Sequence, residues 1–207
     1  MIQKPVSLGV LLALTLLGIS SGCAGAGKSA PSADPAGPRP SETLAPSIFY
    51  DEGKLVFVGV NAALARFSLD EPLIPLEIAV ANKGLTKLTV GPEMITLRDK
   101  KGGAWPVAAP EESVGKSSRS SWDRNLMPVP FPDIIRLRFS SFTQVPATYG
   151  FRPVDYTMSR TAEMAKNTWL LAQIWFPNPG GDLKGKVFDV QIDSPELPDP
   201  VFVTIRF

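Results

Sequence analysis

Apolar and polar residues alternate along short segments of this chain, and each segment ends at turn-forming residues. Residues 55–60 are mostly β-branched or aromatic, and residues 76–81 alternate Leu, Ile and Val with Glu and Ala until Asn-Lys-Gly interrupts them. Shorter segments of the same kind follow at residues 88–90 and 95–98. A repeat of two places apolar side chains on one face of an extended strand, so each segment is predicted to be a β-strand.

The same pattern continues to the end of the chain. Residues 99–103, Asp-Lys-Lys-Gly-Gly, predict a hairpin turn after which the chain returns through residues 105–107. Further strands are predicted at residues 169–176, 186–192 and 201–207, each bounded by Pro, Gly or Asp. Closely spaced strands with almost no helical repeat predict a mainly β protein, built as an antiparallel sandwich.

The first 22 residues follow a different pattern. Lys4 precedes an apolar run at residues 8–19 that is too short for a stable membrane span, and Ser20-Ser21-Gly22 then leads directly to Cys23. This arrangement resembles a bacterial lipoprotein precursor, in which signal peptidase cuts before the cysteine. The resemblance implies that Cys23 becomes an acylated N-terminus, and that Ala24 after it favours the outer membrane over the inner one.

The residues after Cys23 predict the organisation of the mature chain. Residues 24–48 are rich in Pro, Ala, Ser and Gly and cannot bury enough apolar surface to fold. We therefore predict a signal peptide at 1–22, a lipidated cysteine and disordered tether at 23–48, and one β-sandwich domain at 49–207. Inside that domain, residues 108–167 form one long insertion, with a strand predicted at 134–139 and a short helix at 155–166.

The two ends of the predicted domain carry a second resemblance. The run PLIPLEIAVANKGLTKLTVGPEMITLRDKKGGAWPV has one strand ending in Asn-x-Gly and a later one ending in Asp-x-x-Gly. Together with WLLAQIWFPNP, KVFDVQI and VFVTIRF it is similar to the immunoglobulin-like domains of bacterial surface lipoproteins. The resemblance implies an antiparallel immunoglobulin-like β-sandwich, and it brings no catalytic residues with it.

Composition excludes several classes of activity. The chain has 21 basic and 20 acidic residues, so it lacks the strong positive charge that nucleic-acid binding requires. It contains no histidine, which removes Ser-His-Asp catalysis and histidine-ligated metal sites. Cys23 is the single cysteine, and acylation would consume its thiol. We expect no nucleic-acid partner and no cofactor.

Three sequence motifs suggest chemistry but lack the structural setting it needs. Residues 22–29 match the phosphate-binding loop G-x-x-x-x-G-K-S, yet a signal segment precedes them and a Pro-rich segment follows, so we expect no nucleotide binding. Residues 18–22 match G-x-S-x-G inside the segment that is removed. Ser113 and Lys116 fit S-x-x-K, but in a polar segment where a buried helix would be required.

Acidic residues gather near the C-terminus, at Asp189, Asp193, Glu196 and Asp199. Such a group suggests a calcium site, because hard cations are coordinated by several carboxylate oxygens. No D-x-D-x-D-G loop is present, and the favoured interpretation is that these charges are solvated and guard strand edges and turns.

The long insertion carries the candidate binding residues. Arg119, Trp122 and Arg124 lie in its polar part, and arginine and tryptophan are the types that anchor interfaces. Aromatic residues also lie within it, namely Phe131, Phe142, Tyr149 and Phe151. The alternative is that these aromatics close one end of the sandwich while the arginines stay in water.

The sequence therefore predicts a lipid-anchored cell-envelope protein that binds or scaffolds a partner, either another envelope protein or a surface ligand, without catalysis. The alternative is a histidine-free envelope hydrolase that uses Ser113 with Lys116, or a pair of carboxylates. The two differ in what they require of the fold. A hydrolase needs convergent catalytic side chains in a deep cleft, whereas a binder needs only a complementary surface.

Overall fold

A computed structural model describes residues 41–113, 130–147 and 157–207. In chain order its strands are β1 (Glu42–Ala45), β2 (Ile48–Glu52), β3 (Val56–Asn61), β4 (Leu73–Asn82), β5 (Lys87–Val90), β6 (Ile95–Asp99), β7 (Ala104–Pro106), β8 (Thr143–Gln144), β9 (Ala162–Ala165), β10 (Thr168–Pro177), β11 (Val187–Ile192) and β12 (Val201–Arg206). The helices are α1 (Pro110–Ser113), α2 (Phe131–Arg138) and two 3-10 turns, Leu64–Phe67 and Pro92–Met94. The protein is mainly β, as the alternating pattern predicts.

The strands form two larger sheets and one small one. The order in the first is β1-β2-β3-β4-β10-β8, and in the second it is β12-β11-β6-β7. Strands β5 and β9 form a separate antiparallel pair. Neighbours pair antiparallel, except for a short parallel contact between β8 and β10. The longest pairing joins β4 to β10, from Asn82 opposite Thr168 to Leu73 opposite Pro177.

One hydrophobic core lies between the inward faces of the two larger sheets. Every second residue of β4, such as Leu76 and Ile78, contributes to it from the first sheet. Val203 and Ile205 of β12 contribute from the second and are both 0% exposed. The predicted alternation in the last strand is therefore confirmed, since side chains of a strand point to opposite faces in turn.

The predicted hairpin after residue 98 is also confirmed. Strands β6 and β7 pair antiparallel, with Thr96 opposite Pro106 and Arg98 opposite Ala104. Asp99 closes the turn, because its Oδ1 accepts from the backbone N–H of Gly103 at 2.7 Å and of Lys101 at 2.9 Å. Gly102 has a φ of 94°, a left-handed conformation that glycine adopts without steric cost.

The strand predicted at residues 134–139 is wrong, because this segment belongs to helix α2. The prediction relied on alternation that included Leu137, which is 78% exposed in the structure. The buried residues instead follow a spacing of four, Phe131, Ile135 and Phe139, which is the repeat of one helix face. Pro132 stands in the first turn of the helix, where its missing N–H costs nothing.

Helix α2 covers part of the outer face of the first sheet. Its buried side chains form a second hydrophobic cluster with Phe57 of β3 and Trp169 of β10. The rings of Phe57 and Phe139 meet edge to face at 5.0 Å. At the end of the helix the Arg138 guanidinium bonds to Glu52 and lies 5.4 Å from the Tyr50 ring centre. Apolar contact and an ion pair together hold the helix on the sheet.

The helix predicted at residues 155–166 is wrong as well. Residues 155 and 156 lie outside the described part of the chain, and Ala162–Ala165 form β9. Ala162 and Met164 of this strand are buried while Glu163 is exposed, which is a repeat of two. Strand β9 is extended because it pairs with β5 along four residues, and tertiary pairing of this kind overrides local helix propensity.

Asn82, at the end of β4, holds the small sheet in place. Its Nδ2 donates to the carbonyl oxygens of Leu85 and Met164, both at 3.0 Å, and its Oδ1 accepts from Leu85 N at 2.9 Å. The side chain is fully buried. The sequence pattern identified Asn82 only as part of a turn, but its side chain also connects β4 to β9 and to the segment before β5.

The predicted tether at residues 23–48 ends too late. Residues 23–40 lie outside the described part of the chain, but Glu42–Ala45 form β1 and Ile48 begins β2 as a buried residue. The reason is that Leu44 and Ala45, although few, pack against the cluster beneath helix α2. Ordered structure therefore begins by residue 42 instead of residue 49.

Candidate functional site

A cleft of about 390 Å³ opens where the start of the described chain meets its last strand. Its walls come from three places: the β1–β2 segment (Ser41, Pro46 and Phe49), the first 3-10 turn (Arg66), and the last two strands (Val187 and Thr204–Phe207). This volume lies in the range of small-molecule sites in proteins, about 300–1,000 Å³.

The edge of β12 forms one wall of the cleft. Strand β12 pairs with β11 on one side and is the outermost strand of its sheet. The Thr204 N–H donates to Ser41 Oγ at 2.7 Å, so it points away from β11. Because N–H groups of a strand alternate in direction, the Arg206 N–H also points away from β11. A backbone donor is therefore directed from the sheet edge towards the cleft side.

Two arginines give the cleft its charge. Arg66 and Arg206 both line it and are exposed. Within the described ranges, neither guanidinium makes a hydrogen bond or ion pair. An unpaired guanidinium presents five N–H donors in a planar fork that suits carboxylate and phosphate oxygens.

The buried carboxylate of strand β11 is paired elsewhere. Asp189 lies opposite Thr204 across the β11–β12 pair and is 5% exposed. Its Oδ1 accepts from Thr204 Oγ1 at 2.6 Å, and its Oδ2 lies 2.5 Å from Lys100 Nζ. Lys100 thus forms an ion pair with Asp189. The charged side chains that line the cleft are those of Arg66 and Arg206.

Aromatic and aliphatic side chains line the rest of the cleft. Phe49 is half-buried and packs against the main core. Phe207 is buried, and its ring centre lies 5.3 Å from that of Phe188. Both rings are fixed by the core behind them, so the cleft combines a rigid apolar surface with two cationic groups.

A row of buried polar side chains crosses the outer face of the first sheet. Glu77 of β4 lies between Asn61 of β3 and Gln173 of β10, its direct partners in the two pairings. Asn61 Nδ2 donates to Glu77 Oε2 at 2.8 Å, and Asn61 Oδ1 accepts from Ala63 N at 3.0 Å. Glu77 is only 4% exposed. These bonds compensate in part for the cost of removing a carboxylate from water.

The acidic residues near the C-terminus do not converge. No group of three or more potential ligands that could hold a metal ion exists among residues 41–113, 130–147 and 157–207. Asp189 bonds to Lys100 and Thr204, whereas Glu196 accepts from Thr89 N at 3.0 Å, Thr89 Oγ1 at 2.7 Å and Ser194 Oγ at 2.7 Å. For these two residues the expectation of solvated charge is wrong, because strand pairing brings hydroxyl and amide donors to them. Glu196 ties the loop before β12 to β5.

Replacing Glu196 by Gln should make the free energy of unfolding less dependent on pH in the acidic range. The hydrogen bonds from Thr89 and then Ser194 lower the pKa of Glu196 from 4.5 to about 2. A carboxyl group whose pKa is lower in the folded state than in the unfolded state stabilises the fold fully above pH 4.5. This contribution is lost as pH falls towards 2. We expect Glu196→Gln to cost about 1–2 kcal/mol at pH 7, after allowance for solvent screening.

Urea unfolding at a series of pH values measures this effect. The difference between wild type and Glu196→Gln should shrink as pH falls from 4.5 towards 2. Asp193→Asn, at an exposed neighbouring carboxylate, is the matched control and should leave the profile nearly unchanged. A constant difference across this pH range would contradict the assigned role of Glu196.

Several residues singled out by the sequence lie outside the described part of the chain. These are Cys23, Lys116, Arg119, Trp122, Arg124, Tyr149 and Phe151. Ser113 is the last residue of α1, and its pairing with Lys116 stays a prediction. Phe131 is a buried core residue of α2 and cannot anchor a partner. Phe142 is half-buried, with its ring centre 5.2 Å from that of Phe139.

The cleft residues were missed by sequence reasoning. Arg66 stands in a 3-10 turn between β3 and β4, where no period-two pattern exists, and Arg206 reads as one outward-facing residue of the last strand. Only the long-range packing of β12 beside the β1–β2 segment brings them to one cleft. The one sequence signal was the outward position of Arg206 in an alternating strand.

No protein-family model matches this chain, and no curated protein matches it in sequence. One solved structure, from Bacillus subtilis subsp. subtilis strain 168 and described as a candidate lipoprotein (ycdA), is 12% identical with a TM-score of 0.39. That match covers 76% of this chain but only 38% of the other, and at this distance it supports no argument about function.

In the described ranges, no helix is both long enough and apolar enough to cross a bilayer.

Proposed function

We propose that this chain is a lipid-anchored protein of the bacterial cell envelope that binds a ligand or partner without catalysis. The observation that carries the anchoring is Cys23, the single cysteine, which follows Ser-Ser-Gly at the end of an apolar segment. Acyl chains stabilise membrane attachment by about 0.8 kcal/mol per buried CH₂, so two or three of them would hold the chain on the membrane. Ala24 favours the outer membrane.

We further infer that the fold is an immunoglobulin-like sandwich. In such domains, strands A, B and E belong to one sheet and strands C, F and G to the other. Assigning β3, β4 and β10 to the first set and β6, β11 and β12 to the second reproduces this division and its neighbour relations. The pairing of β3 with β4, and of β11 with both β6 and β12, supports the assignment.

The binding role has two supports. The cleft presents unpaired cationic groups beside rigid aromatic surfaces, which suits recognition. Arg119, Trp122 and Arg124 in the insertion are the further proposed contacts with an envelope partner. Crosslinking in the native cell would identify that partner directly.

Replacing Cys23 by Ser tests the anchoring. Wild type is expected to incorporate labelled palmitate and to sediment with membranes, whereas Cys23→Ser should incorporate none, because a serine hydroxyl is not a substrate for thioether attachment. Ser29→Ala, in the same segment, is the control and should behave like wild type. If Cys23→Ser fractionates and migrates like wild type, the anchoring proposal is wrong.

A further inference from the structure

We propose that the cleft beside β12 binds an oxyanion carried on an apolar chain, with Arg66 and Arg206 holding the anion and Phe49 and Phe207 contacting the apolar part. This inference deepens the proposed binding role and rests on it. Three features of the cleft support it: its charge, its apolar surface and its position.

The charge of the cleft selects an anion. The guanidinium groups of Arg66 and Arg206 have no partner among the described residues, while Asp189 of β11 is paired with Lys100. Guanidinium groups that bind oxyanions do so through charge-assisted hydrogen bonds, often two at a time. The Arg206 N–H adds a backbone donor on the same side of β12 as the Thr204 N–H.

The rest of the cleft selects an apolar attachment. Phe49 and Phe207 supply aromatic surface to the cleft. A free inorganic anion would leave this surface in contact with water. An anion with a short hydrocarbon chain would cover it, with a gain in affinity of about fourfold per buried CH₂.

The position of the cleft suggests a membrane source for this ligand. Ser41 lines the cleft and follows Cys23 by 18 residues. Even a fully extended segment of that length spans at most about 60 Å. A chain anchored at Cys23 therefore keeps the cleft within that distance of the headgroups, so an anionic lipid is one source of the ligand and a soluble amphiphile is the other.

Titration with butyl phosphate tests the proposal. The full acylated chain, held in phosphatidylcholine vesicles, is titrated by calorimetry, with protein-free vesicles as the blank. Butyl phosphate should bind at least about 10-fold more tightly than inorganic phosphate, which lacks the hydrocarbon. The Arg66→Ala/Arg206→Ala double variant should bind it at least about 30-fold more weakly, because each charge-assisted bond contributes strongly.

A charge-matched double variant provides the control. Arg98→Ala/Lys101→Ala removes two cations from the β6–β7 hairpin, outside the cleft, and should change the affinity less than about threefold. Should the alanine pair at the cleft fail to fold, Arg66→Lys/Arg206→Lys keeps the charge but loses the planar fork, and a weakening of about 3- to 10-fold is expected. Equal binding by wild type and the cleft variants would overturn the proposal, and so would equal binding of the two phosphates.

A second set of vesicles distinguishes the two sources. If an anionic lipid occupies the cleft, adding phosphatidylglycerol should weaken butyl phosphate binding to wild type by competition. If a soluble amphiphile is the ligand, the affinity should stay the same, and either result supports the oxyanion site. Failure of the anchoring is scored separately, because it appears as unchanged membrane attachment of Cys23→Ser and not as a change in phosphate affinity.

Discussion

Replacing Phe131 by Ala is expected to lower the free energy of unfolding by about 3–5 kcal/mol. Phe131 is almost fully buried in the cluster that joins helix α2 to Phe57 and Trp169 of the first sheet. Truncation would remove its apolar contacts and leave a cavity that the surrounding rings, fixed by the sheet, cannot fill. Urea or thermal unfolding of the purified variant measures the loss.

Leu137 provides the matched control on the same helix. Its side chain is 78% exposed, so Leu137→Ala should change the unfolding free energy by less than about 0.5 kcal/mol. If the segment were the strand that the sequence predicted, Leu137 would face the core and its truncation would be costly. Equal losses at the two positions would contradict the helix and the face that it buries.

Replacing Ile205 by Ala is expected to cost about 2–5 kcal/mol. Ile205 is 0% exposed and faces the core shared by the two larger sheets. Ile205→Val removes one methylene and should cost about 0.5–1.5 kcal/mol, which gives a graded comparison at the same site. If the two variants lose equal stability in urea unfolding, the residue is not packed as the structure describes.

Substitution of Thr204, next to Ile205, is expected to affect stability, although alternation places this residue outside the core. Its side chain points away from the core, but Oγ1 donates to the buried carboxylate of Asp189 at 2.6 Å. Thr204→Ala would leave that carboxylate with one donor fewer, in a place that water reaches poorly. A control for Ile205 should therefore be taken from a position without such a bond.

The sequence predicted the sheets well where the residues of a strand alternate between core-facing and outward-facing positions. Strands β4, β10 and β12 each alternate core and outer positions, and the pattern of apolar residues records this directly. The apolar residues of the segment FPDIIRLRF fit two patterns. In a strand, residues 135, 137 and 139 would face the core, and in a helix, residues 131, 135 and 139 would do so. The proline at 132 fits the first turn of a helix, and contact with Phe57 decides between the two.

The candidate site could not be predicted from the sequence because it depends on packing between distant segments. Arg66 and Arg206 have no local signature, and nothing in their spacing suggests a common cleft. Asn82 and Glu77 were read as a turn residue and an outward-facing charge, yet both are buried and hydrogen-bonded. Polar residues at strand positions are easily assigned to solvent, because the alternation of apolar and polar residues does not show whether the outer face of a sheet is also covered.

The bond between Ser41 Oγ and the Thr204 N–H also bears on self-association. An outermost strand offers unpaired N–H and C=O groups to strands of other molecules, and growth of fibrils begins at such edges. On β12 one of these donors is already occupied by a side chain from the same molecule. A strand from a second molecule would have to displace Ser41 before it could pair in continuous register, so this hydroxyl opposes strand addition at Thr204.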